Sequence, residues 1–553
     1  MKKEPKLTLL KDRERLLDIS ALVLFLGSVL ISILTTYYAT GHFMDSDAAS
    51  ELILAEHLSK TGGILSRDWF YSTELRVVNT QLVYAPMFWL FSDWHMVRFA
   101  SALVLQGIYI LSYAFMLKQA GVSRRVFFAS AAILLLPVGT GYGRIVLYHC
   151  FYIPHIAISF GILGLFFQLT RKSKWNLLSL ALLLGLSFAG GLGGIRQLMI
   201  THAPMLVLLV LICFVEDAKS EDESKAALFA PDRLWLLIAA VLAAGASFVG
   251  LKVNGVILTR YYSFATFDAI SLKAIGIPEL GDILYGFFHQ FGYRKNLELL
   301  SILGILSLGG IVGACYAVYA SLRKLLQHTK DTDIRKTLLY TFLLGYAGVM
   351  LMVFLLTGEY SYTQYLVLSI CWGAVVLVNA FEEGSPKVHP FHVKRIFSWA
   401  ALLCVLVNGL ANAGYYNGIE KFDQRYEGLS FHVADKKDQM EDVVDFLTEG
   451  GYDIGYATFW EGNILTEMTD GAIRINNVYF HENGNLSYYD WLCFWELRQE
   501  VPQKPFLIID SGSKAMFEAF PASQYCKPAF DDGYHFVYNI TDVEAFKSEL
   551  YEW

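Results

Sequence analysis

The sequence predicts a polytopic α-helical membrane protein, with about eleven transmembrane helices and a small extracytoplasmic α/β domain at its C-terminal end. The first observation is composition: the chain is 55% hydrophobic and only 17% charged, whereas soluble domains carry about a quarter charged residues. The second is that the apolar residues form runs close to the roughly 20 residues that a helix needs to cross a bilayer. The third is that charge rises, and short alternating segments appear, only from about residue 417 onward.

Eleven apolar runs have the length and composition of transmembrane helices. They cover residues 18–40, 95–117, 126–142, 151–170, 176–193, 198–215, 233–257, 299–322, 337–356, 361–380 and 396–415. A further apolar stretch, residues 80–94, is short and contains Pro86. We predict that it lies in the membrane interface or forms a half-helix; the alternative is that it begins an unusually long second helix.

Lysine and arginine residues divide the connecting loops into two sets. Most of them fall in the N-terminal segment and in residues 118–125, 171–174, 216–233, 323–336 and 381–395. The positive-inside rule predicts that these segments are cytoplasmic. Eleven crossings then place the C-terminal domain outside the cytoplasm. We therefore expect a multi-pass protein of the plasma membrane with a cytoplasmic N-terminus.

The tail alternates strand-like and helix-like patterns. The strand-like segments are 453–460, 471–480, 504–510 and 534–540, and the clearest helix-like segment is 437–450. This alternation predicts a small α/β domain. The predicted domains are thus a transmembrane domain, 1–416, which includes an amphipathic first outer loop at 41–94, and an extracytoplasmic α/β domain, 417–553.

Three acidic residues open the first outer loop. Asp45 and Asp47 directly follow the first apolar run, and Asp47 and Glu51 are four residues apart in a helical pattern, so they would share one helix face. A carboxylate at the membrane surface could deprotonate an acceptor hydroxyl or coordinate a divalent cation. The alternative is that Asp45, Ser46 or Asp47 only caps the helix that follows.

Five basic residues lie on predicted outer loops close to helix ends, where the positive-inside rule disfavours them. They are Arg144, Arg196, Arg260, Arg294 and Lys295. Arginine holds phosphate well through paired donors, and Arg196 lies in the glycine-rich sequence GGLGGIRQL, where backbone can approach a ligand closely. These residues could bind the phosphate of a lipid-linked substrate; alternatively, each pairs with a local carboxylate or a lipid headgroup. Glu359, in TGEYSYTQY, is a candidate second carboxylate, or a solvated residue at a helix end.

The loop at 258–298 is long and aromatic, and loops of this length are often functional. Its aromatic side chains could stack on sugar faces or anchor the loop at the membrane interface. His149 and His155 are six residues apart and do not have the spacing of a metal site. The sequence therefore predicts no metal ligands and no certain cofactor.

The apolar first helix, the outer loop opening MDSDAASELILAEHL and the amphipathic helix after it resemble the GT-C class of membrane glycosyltransferases. That class includes the protein O-mannosyltransferases and the lipid A aminoarabinose transferases. The resemblance extends in architecture to the helix count, the loop at 258–298 and the C-terminal domain. In motif it covers the first outer loop, where Asp45-Ser46-Asp47 departs from the adjacent acidic pair of the class. TGEYSYTQY, similarly, has tyrosines without the arginine of the class's late motif.

The resemblance implies transfer of a sugar from a polyprenyl-phosphate-linked donor to a glycan, lipid or protein acceptor of the cell envelope. It implies that Asp47 or Asp45 is the base, and that Arg196 and Arg260 hold the carrier phosphate. The implied partners are the lipid-linked donor, the acceptor and membrane lipids, with no nucleic acid.

Two other functions are compatible with the sequence. A transporter or flippase would place ionisable residues deep inside helices and often shows internal repeats. Lys252, with Asn254 nearby, is the best such case, and no convincing inverted repeat is present. A non-enzymatic membrane protein that binds an envelope partner would make the outer carboxylates and arginines expendable.

Overall fold

The computed structural model describes residues 4–73, 75–170, 176–219, 230–264, 277–295, 297–357, 363–383, 393–418, 435–481 and 485–551. Within these ranges, eight helices are long and apolar enough to cross a membrane. They are Glu14–His42, Trp94–Ala120, Ile153–Thr170, Leu198–Asp217, Pro231–Arg260, Ile302–Leu326, Ile334–Thr357 and Tyr365–Glu382. The chain is therefore a polytopic helical membrane protein, as predicted, whereas the count of eleven spans stays a prediction.

The predicted spans outside those eight are shorter apolar helices in the structure. The run at 126–142 begins as helix α5, Arg124–Leu134, which ends before Pro137 and a glycine-containing stretch, because proline cannot continue a helix and glycine weakens one. The runs at 176–193 and 396–415 contain apolar helices at Leu177–Gly191 and Trp399–Tyr415.

The chain forms two compact units. The first comprises residues Met1–Thr36, Leu105–Leu251 and Ala269–His432, and the second comprises Tyr37–Val104, Lys252–Asp268 and Val433–Trp553. In chain order, the helices up to the C-terminal tail are α1 (Glu4–His42), α2 (Ser46–Thr61), α3 (Gln81–Met87), α4 (Trp94–Ala120), α5, α6 (Thr140–Tyr142), α7 (Ile153–Thr170), α8 (Leu177–Gly191), α9 (Ala203–Asp217), α10 (Pro231–Lys252), α11 (Ile277–His289), α12 (Ile302–Leu326), α13 (Ile334–Thr357), α14 (Leu368–Glu383) and α15 (Val393–Tyr415). The short strands β1 (Trp69–Tyr71) and β2 (Ser263–Phe264) lie between them.

Small residues allow the membrane helices of the first unit to pack closely, as is usual where lipid supplies no hydrophobic driving force between helices. A Cβ atom on Gly191 of α8 would lie 1.9 Å from the backbone oxygen of Ser247 on α10, and one on Gly250 would lie 2.2 Å from the backbone oxygen of Phe188. Backbone therefore contacts backbone where these two helices cross, and no larger residue fits at either glycine.

The tail folds into the predicted α/β structure. Its helices are α16 (Lys436–Glu449), α17 (Phe459–Met468), α18 (Lys514–Glu518) and α19 (Val543–Ser548). Its strands are β3 (Ile454–Thr458), β4 (Arg474–Phe480), β5 (Leu486–Tyr488), β6 (Cys493–Phe494), β7 (Phe506–Asp510), β8 (Cys526–Asp531), β9 (His535–Ile540) and β10 (Leu550–Tyr551). The four strands predicted from alternation correspond to β3, β4, β7 and β9, and the predicted helix corresponds to α16.

Seven of these strands form one mixed sheet in the order β10-β5-β4-β3-β7-β9-β8. The central strand β3 is parallel to both β4 and β7, whereas β5 and β9 pair antiparallel on either side. Buried apolar residues pack on both faces of the sheet, one cluster with α18 and α19 and the other with α16 and α17. Both faces of the central strands are therefore covered, which is why Ile454–Ala457 are buried without interruption.

The apolar stretch at 80–94 also lies in the second unit. The stretch 80–94 forms the short helix α3, and α4 begins afterwards at Trp94, so the stretch is a separate half-helix rather than the start of a longer one. A small sheet joins β1 with β2 in parallel and with β6 in antiparallel orientation, so three distant segments of the chain meet. The domain boundary at residue 416 stays a prediction.

Candidate functional site

The first of the three candidate carboxylates caps a helix. Asp45 has an extended backbone, with φ −146°, and its side chain accepts hydrogen bonds from the backbone N–H groups of Asp47 and Ala48, with the Oδ1 distances 3.0 and 3.4 Å. This geometry satisfies two amide groups that a helix start would otherwise leave without partners. In the structure Asp45 therefore caps α2, which is the alternative role that the sequence indicated.

Glu51, one turn further along α2, is held by the segment before α3. Its side chain is 11% exposed, accepts hydrogen bonds from Asn79 and Thr80, and lies 3.6 Å from the guanidinium of Arg76. Burial raises the pKa of the Glu51 carboxyl above its ordinary value, although Arg76 and the two hydrogen bonds lower it in part. Glu51 thus links α2 to residues 76–80.

Asp47 lies between these two residues, in the first turn of α2, with a half-buried side chain. Beside it, the Ser46 hydroxyl donates a 2.7 Å hydrogen bond to the backbone oxygen of Trp460 in α17. Burial raises the pKa of the Tyr489 phenol, and the negative charge of Asp47 raises it further. Asp47 therefore lies close enough to Tyr489 for its charge to act on the phenol.

Tyr489 is one of three nearly parallel aromatic rings, which the sequence interpretation missed. The rings of Tyr479 and Tyr489 have centroids 5.9 Å apart with an angle of 29° between their planes, and those of Tyr489 and Trp491 are 6.3 Å apart at 22°. We call these three residues the aromatic platform. The available signal was the aromatic density of YYDW at 488–491.

Arg260 also lies in the second unit, at the exposed end of a short 3₁₀ turn, Leu258–Arg260. The guanidinium of Arg67 lies 5.8 Å from the ring centroid of Tyr261, the next residue. The parallel strands β1 and β2 pair Phe70 with Ser263. Arg67 lies three residues before Phe70, and Arg260 lies three residues before Ser263. Arg67 is a second basic residue that sequence reasoning missed, because only the strand pairing relates it to Arg260.

The remaining basic candidates lie in the first unit. The guanidinium of Arg196 lies over Tyr152 and Tyr365, at 5.1 and 5.8 Å from their ring centroids, and its Nη1 lies 3.1 Å from Nε2 of the buried His155. This imidazole nitrogen accepts the hydrogen bond when it carries no proton. Two aromatic rings thus fix the plane of the guanidinium beside the glycine-rich turn.

The other basic residues of this unit differ from Arg196. Arg294 is buried, and its backbone N–H donates a 2.7 Å hydrogen bond to the Ser307 hydroxyl. The Lys295 ammonium lies 4.9 Å from the ring centroid of Tyr285. Arg144 is half-buried in a π-helical turn, Gly143–Tyr148. Glu359 lies outside the described residues.

The structure thus distributes the predicted site residues over two units. Asp45, Asp47, Glu51 and Arg260 belong to the second unit, whereas Arg144, Arg196, Arg294 and Lys295 belong to the first.

In the part of the chain that the structure describes, one group of His and Asp side chains could hold a metal ion. The ligand atoms of His42, Asp435 and Asp438 lie within 4.8 Å of one another. However, Asp435 caps α16 by accepting from the backbone N–H of Asp438, and its other carboxylate oxygen lies 2.9 Å from Nδ1 of His42. Since a helix N-terminus carries partial positive charge, it disfavours a cation, and helix capping accounts for this group.

No protein-family model matches the chain, and a search of curated proteins finds no match.

Proposed function

We propose that the protein transfers a sugar from a polyprenyl-phosphate-linked donor to a cell-envelope acceptor at the outer face of the membrane, with a GT-C-like arrangement of about eleven transmembrane helices. Asp47 is the base of this reaction. The single observation that carries the proposal is the position of Asp47 in the first turn of α2, shortly after a helix that is long and apolar enough to span a bilayer and next to Ser46, which is hydrogen-bonded to Trp460. Asp45 caps the same helix, and Glu51 is bound by Asn79, Thr80 and Arg76.

The position of Asp47 suits chemistry at a membrane surface. It lies five residues after the end of α1, a helix that is long and apolar enough to span a bilayer. An acceptor hydroxyl at this level would give its proton to the Asp47 carboxylate. Its oxygen would then form a bond to the anomeric carbon of the sugar, while the bond from that carbon to the phosphate oxygen breaks and the polyprenyl phosphate leaves with the electron pair.

The leaving phosphate needs positive charge where negative charge develops. Arg67 and Arg260 supply this charge on the second unit, with Tyr261 beside them, and we propose that they bind the carrier phosphate. Arg196, whose guanidinium lies over the rings of Tyr152 and Tyr365, is the basic candidate of the first unit. Arginine suits this role because its donors match phosphate in pairs.

A transporter is less well supported. Asn254, one of the two polar residues that favoured it, donates a 2.6 Å hydrogen bond to the backbone oxygen of Leu75. This contact joins the end of the fifth long helix to the first outer loop and gives Asn254 a structural role.

The test is release of polyprenyl phosphate from its mannose, glucose and aminoarabinose conjugates by the full chain in lipid nanodiscs, with a cell-envelope extract as acceptor. Asp47→Asn should reduce the rate at least about 100-fold, the loss typical of a general base. Asp45→Asn, which keeps a capping side chain, should retain activity. Release from no conjugate, or an unchanged rate for Asp47→Asn, would overturn the proposal.

A separate measurement addresses the phosphate. Arg67→Ala and Arg260→Ala should each weaken the binding of polyprenyl phosphate at least about tenfold, because a hydrogen bond to a charged group contributes about 1.5–3 kcal/mol. Arg474→Ala is the matched control, since Arg474 is also an accessible arginine of the second unit but pairs with Glu500. Equal affinities for all three variants would remove Arg67 and Arg260 from the phosphate site.

A further inference from the structure

The aromatic platform follows directly from the pairing of β4 with β5. Tyr479 pairs with Ser487, and the backbone N–H of Tyr489 donates to the backbone oxygen of Asn477. Tyr479 and Tyr489 are therefore diagonal neighbours on one face of the sheet, a distance over which aromatic side chains can still touch. Trp491 extends the row, and the next residue, Leu492, has a φ of +48°, a conformation that costs energy for a branched side chain and is kept only where the surroundings impose it.

The platform lies at an edge of the sheet that is suited to binding. Tyr479 is the second-last residue of β4, and β4 is parallel to β3, so its ring stands at the carboxyl ends of the parallel strands. Ligands of open α/β sheets bind outside these ends. Tyr479 is 47% exposed there, and Trp460, which follows β3, is 61% exposed.

A polar group next to the platform points to a hydroxyl-rich ligand. Asn477 lies on the same face as Tyr479 and Tyr489 and is 3% exposed, yet neither atom of its side-chain amide has a hydrogen-bond partner among the residues that the structure describes. A buried amide without partners is costly and calls for an explanation. An amide both donates and accepts, as does a sugar hydroxyl. Asp47 adds an anionic acceptor at this edge, where its neighbour Ser46 is hydrogen-bonded to the backbone of Trp460.

We propose that the aromatic platform, Tyr479, Tyr489 and Trp491, binds the sugar rings of a glycan acceptor and presents a hydroxyl of that glycan to Asp47. The name acceptor rests on the proposed transferase function; the binding of a glycan does not. Parallel aromatic faces suit the apolar faces of successive sugar rings, while Asp47 and Asn477 suit the hydroxyl groups at their edges. An anionic lipid surface fits less well, because Asp47 would repel it.

The test is a titration of the full chain in nanodiscs with cellotetraose, chitotetraose and mannotetraose, followed by tryptophan fluorescence and calorimetry. At least one of these should bind, and Tyr479→Ala should weaken that binding about five- to tenfold, the scale of one aromatic contact. Tyr479→Phe keeps the ring and should bind within about twofold of the wild type. Tyr534→Ala, which removes another exposed tyrosine near the opposite edge of the same sheet, should have no effect.

Binding of none of the three oligosaccharides, or equal binding by Tyr479→Ala and the wild type, would overturn the proposal. So would quenching of Trp491 fluorescence by brominated lipids, identified by its loss in Trp491→Phe, because it would place the platform in the membrane interface. Asp47→Asn distinguishes the two proposals: it should lose transfer, whereas the aromatic contacts of Tyr479, Tyr489 and Trp491 remain and keep oligosaccharide binding measurable. Binding without any transfer by the wild type would refute the transferase function and leave the glycan site standing.

Discussion

The ion pair between Arg98 and Glu467 should be the most sensitive polar contact of the second unit. Arg98 lies near the start of α4, and Glu467 lies in α17. Nε and Nη2 of Arg98 donate to the two carboxylate oxygens of Glu467, at 2.5 and 2.6 Å, and the side chains are only 2% and 3% exposed. Removing one member of such a pair leaves a buried charge without a partner, which costs about 3–5 kcal/mol.

For a unit of this size, each kcal/mol shifts the melting temperature by about 2–4 °C. Arg98→Met should therefore lower the melting temperature by about 6–20 °C. The control is Arg474→Met: Arg474 pairs with Glu500 through two hydrogen bonds of 2.7 and 2.6 Å, but both side chains are 46% exposed. Since exposed pairs contribute about 1 kcal/mol or less, this variant should lose no more than about 4 °C.

The assay is thermal unfolding of the full chain in nanodiscs, followed by intrinsic fluorescence. The double variant Arg98→Met/Glu467→Met separates two explanations, because replacing both charges by apolar side chains of similar volume is often neutral or stabilising. It should recover most of the loss. Equal losses for Arg98→Met and Arg474→Met would refute the argument that burial, and not geometry, sets the cost of breaking this pair.

Three further variants test local features. Burial raises the pKa of the Glu51 carboxyl, so the folded chain binds this proton more tightly than the unfolded chain does, and ionisation of Glu51 lowers the stability of the wild type as pH rises above about 4.5. The melting temperature of Glu51→Gln should therefore rise relative to that of the wild type between pH 4 and pH 7. A difference in melting temperature that does not change with pH would contradict this sign. Gly191→Ala should reduce the folded yield, because its Cβ would lie 1.9 Å from the Ser247 backbone oxygen. Gly185→Ala is the control and should fold normally, because a Cβ there meets nothing within 4 Å. Equal yields of the two variants would show that the helices can separate at no cost. Asp45→Ala should lose about 0.5–2 kcal/mol of unfolding free energy, and Asp45→Asn should lose much less, since only asparagine keeps a capping side chain. Equal losses in an unfolding measurement would exclude the cap as the cause.

Local patterns explain why much of the fold could be predicted. The short strand-like segments of the tail correspond to β3, β4, β7 and β9. Of these, β3 and β7 are nearly continuously buried, because both faces of the central strands are covered. The helix at 437–450 was predictable because Met440, Val443 and Leu447 recur at helical spacing and form its buried side. The apolar run at 126–142 was predicted as one continuous helix, whereas α5 ends at Leu134, because hydropathy alone does not weigh the helix-terminating effect of Pro137.

Contacts between distant segments could not be predicted in the same way. Glu467 lies 369 residues from Arg98 in the chain, and no local pattern in either segment specifies the other. The same holds for Arg67 and Tyr261, which only the pairing of β1 with β2 brings together. In the candidate site, Asp45, Asp47 and Glu51 were all candidates from the sequence, and the resemblance favoured Asp47 or Asp45 as the base. The capping bonds of Asp45 and the contacts of Glu51 with residues 76–80 follow only from the fold.

Helix α2 combines structural and proposed chemical roles within four turns, and this combination determines how its variants must be interpreted. Asp45 caps its first turn, which contains Asp47, and its second turn contains Glu51. Its buried face includes Leu52 and Ala55, and the helix contacts α17 of the same unit. A large substitution anywhere on α2 would change stability and activity together and would not separate the two. Only substitutions that preserve shape, such as Asp47→Asn and Glu51→Gln, change the charge alone. If Asp47 is the base and Glu51 is a structural link, the first variant loses transfer at an unchanged melting temperature and the second changes the melting temperature with pH at an unchanged rate. The reverse pattern would exchange their roles.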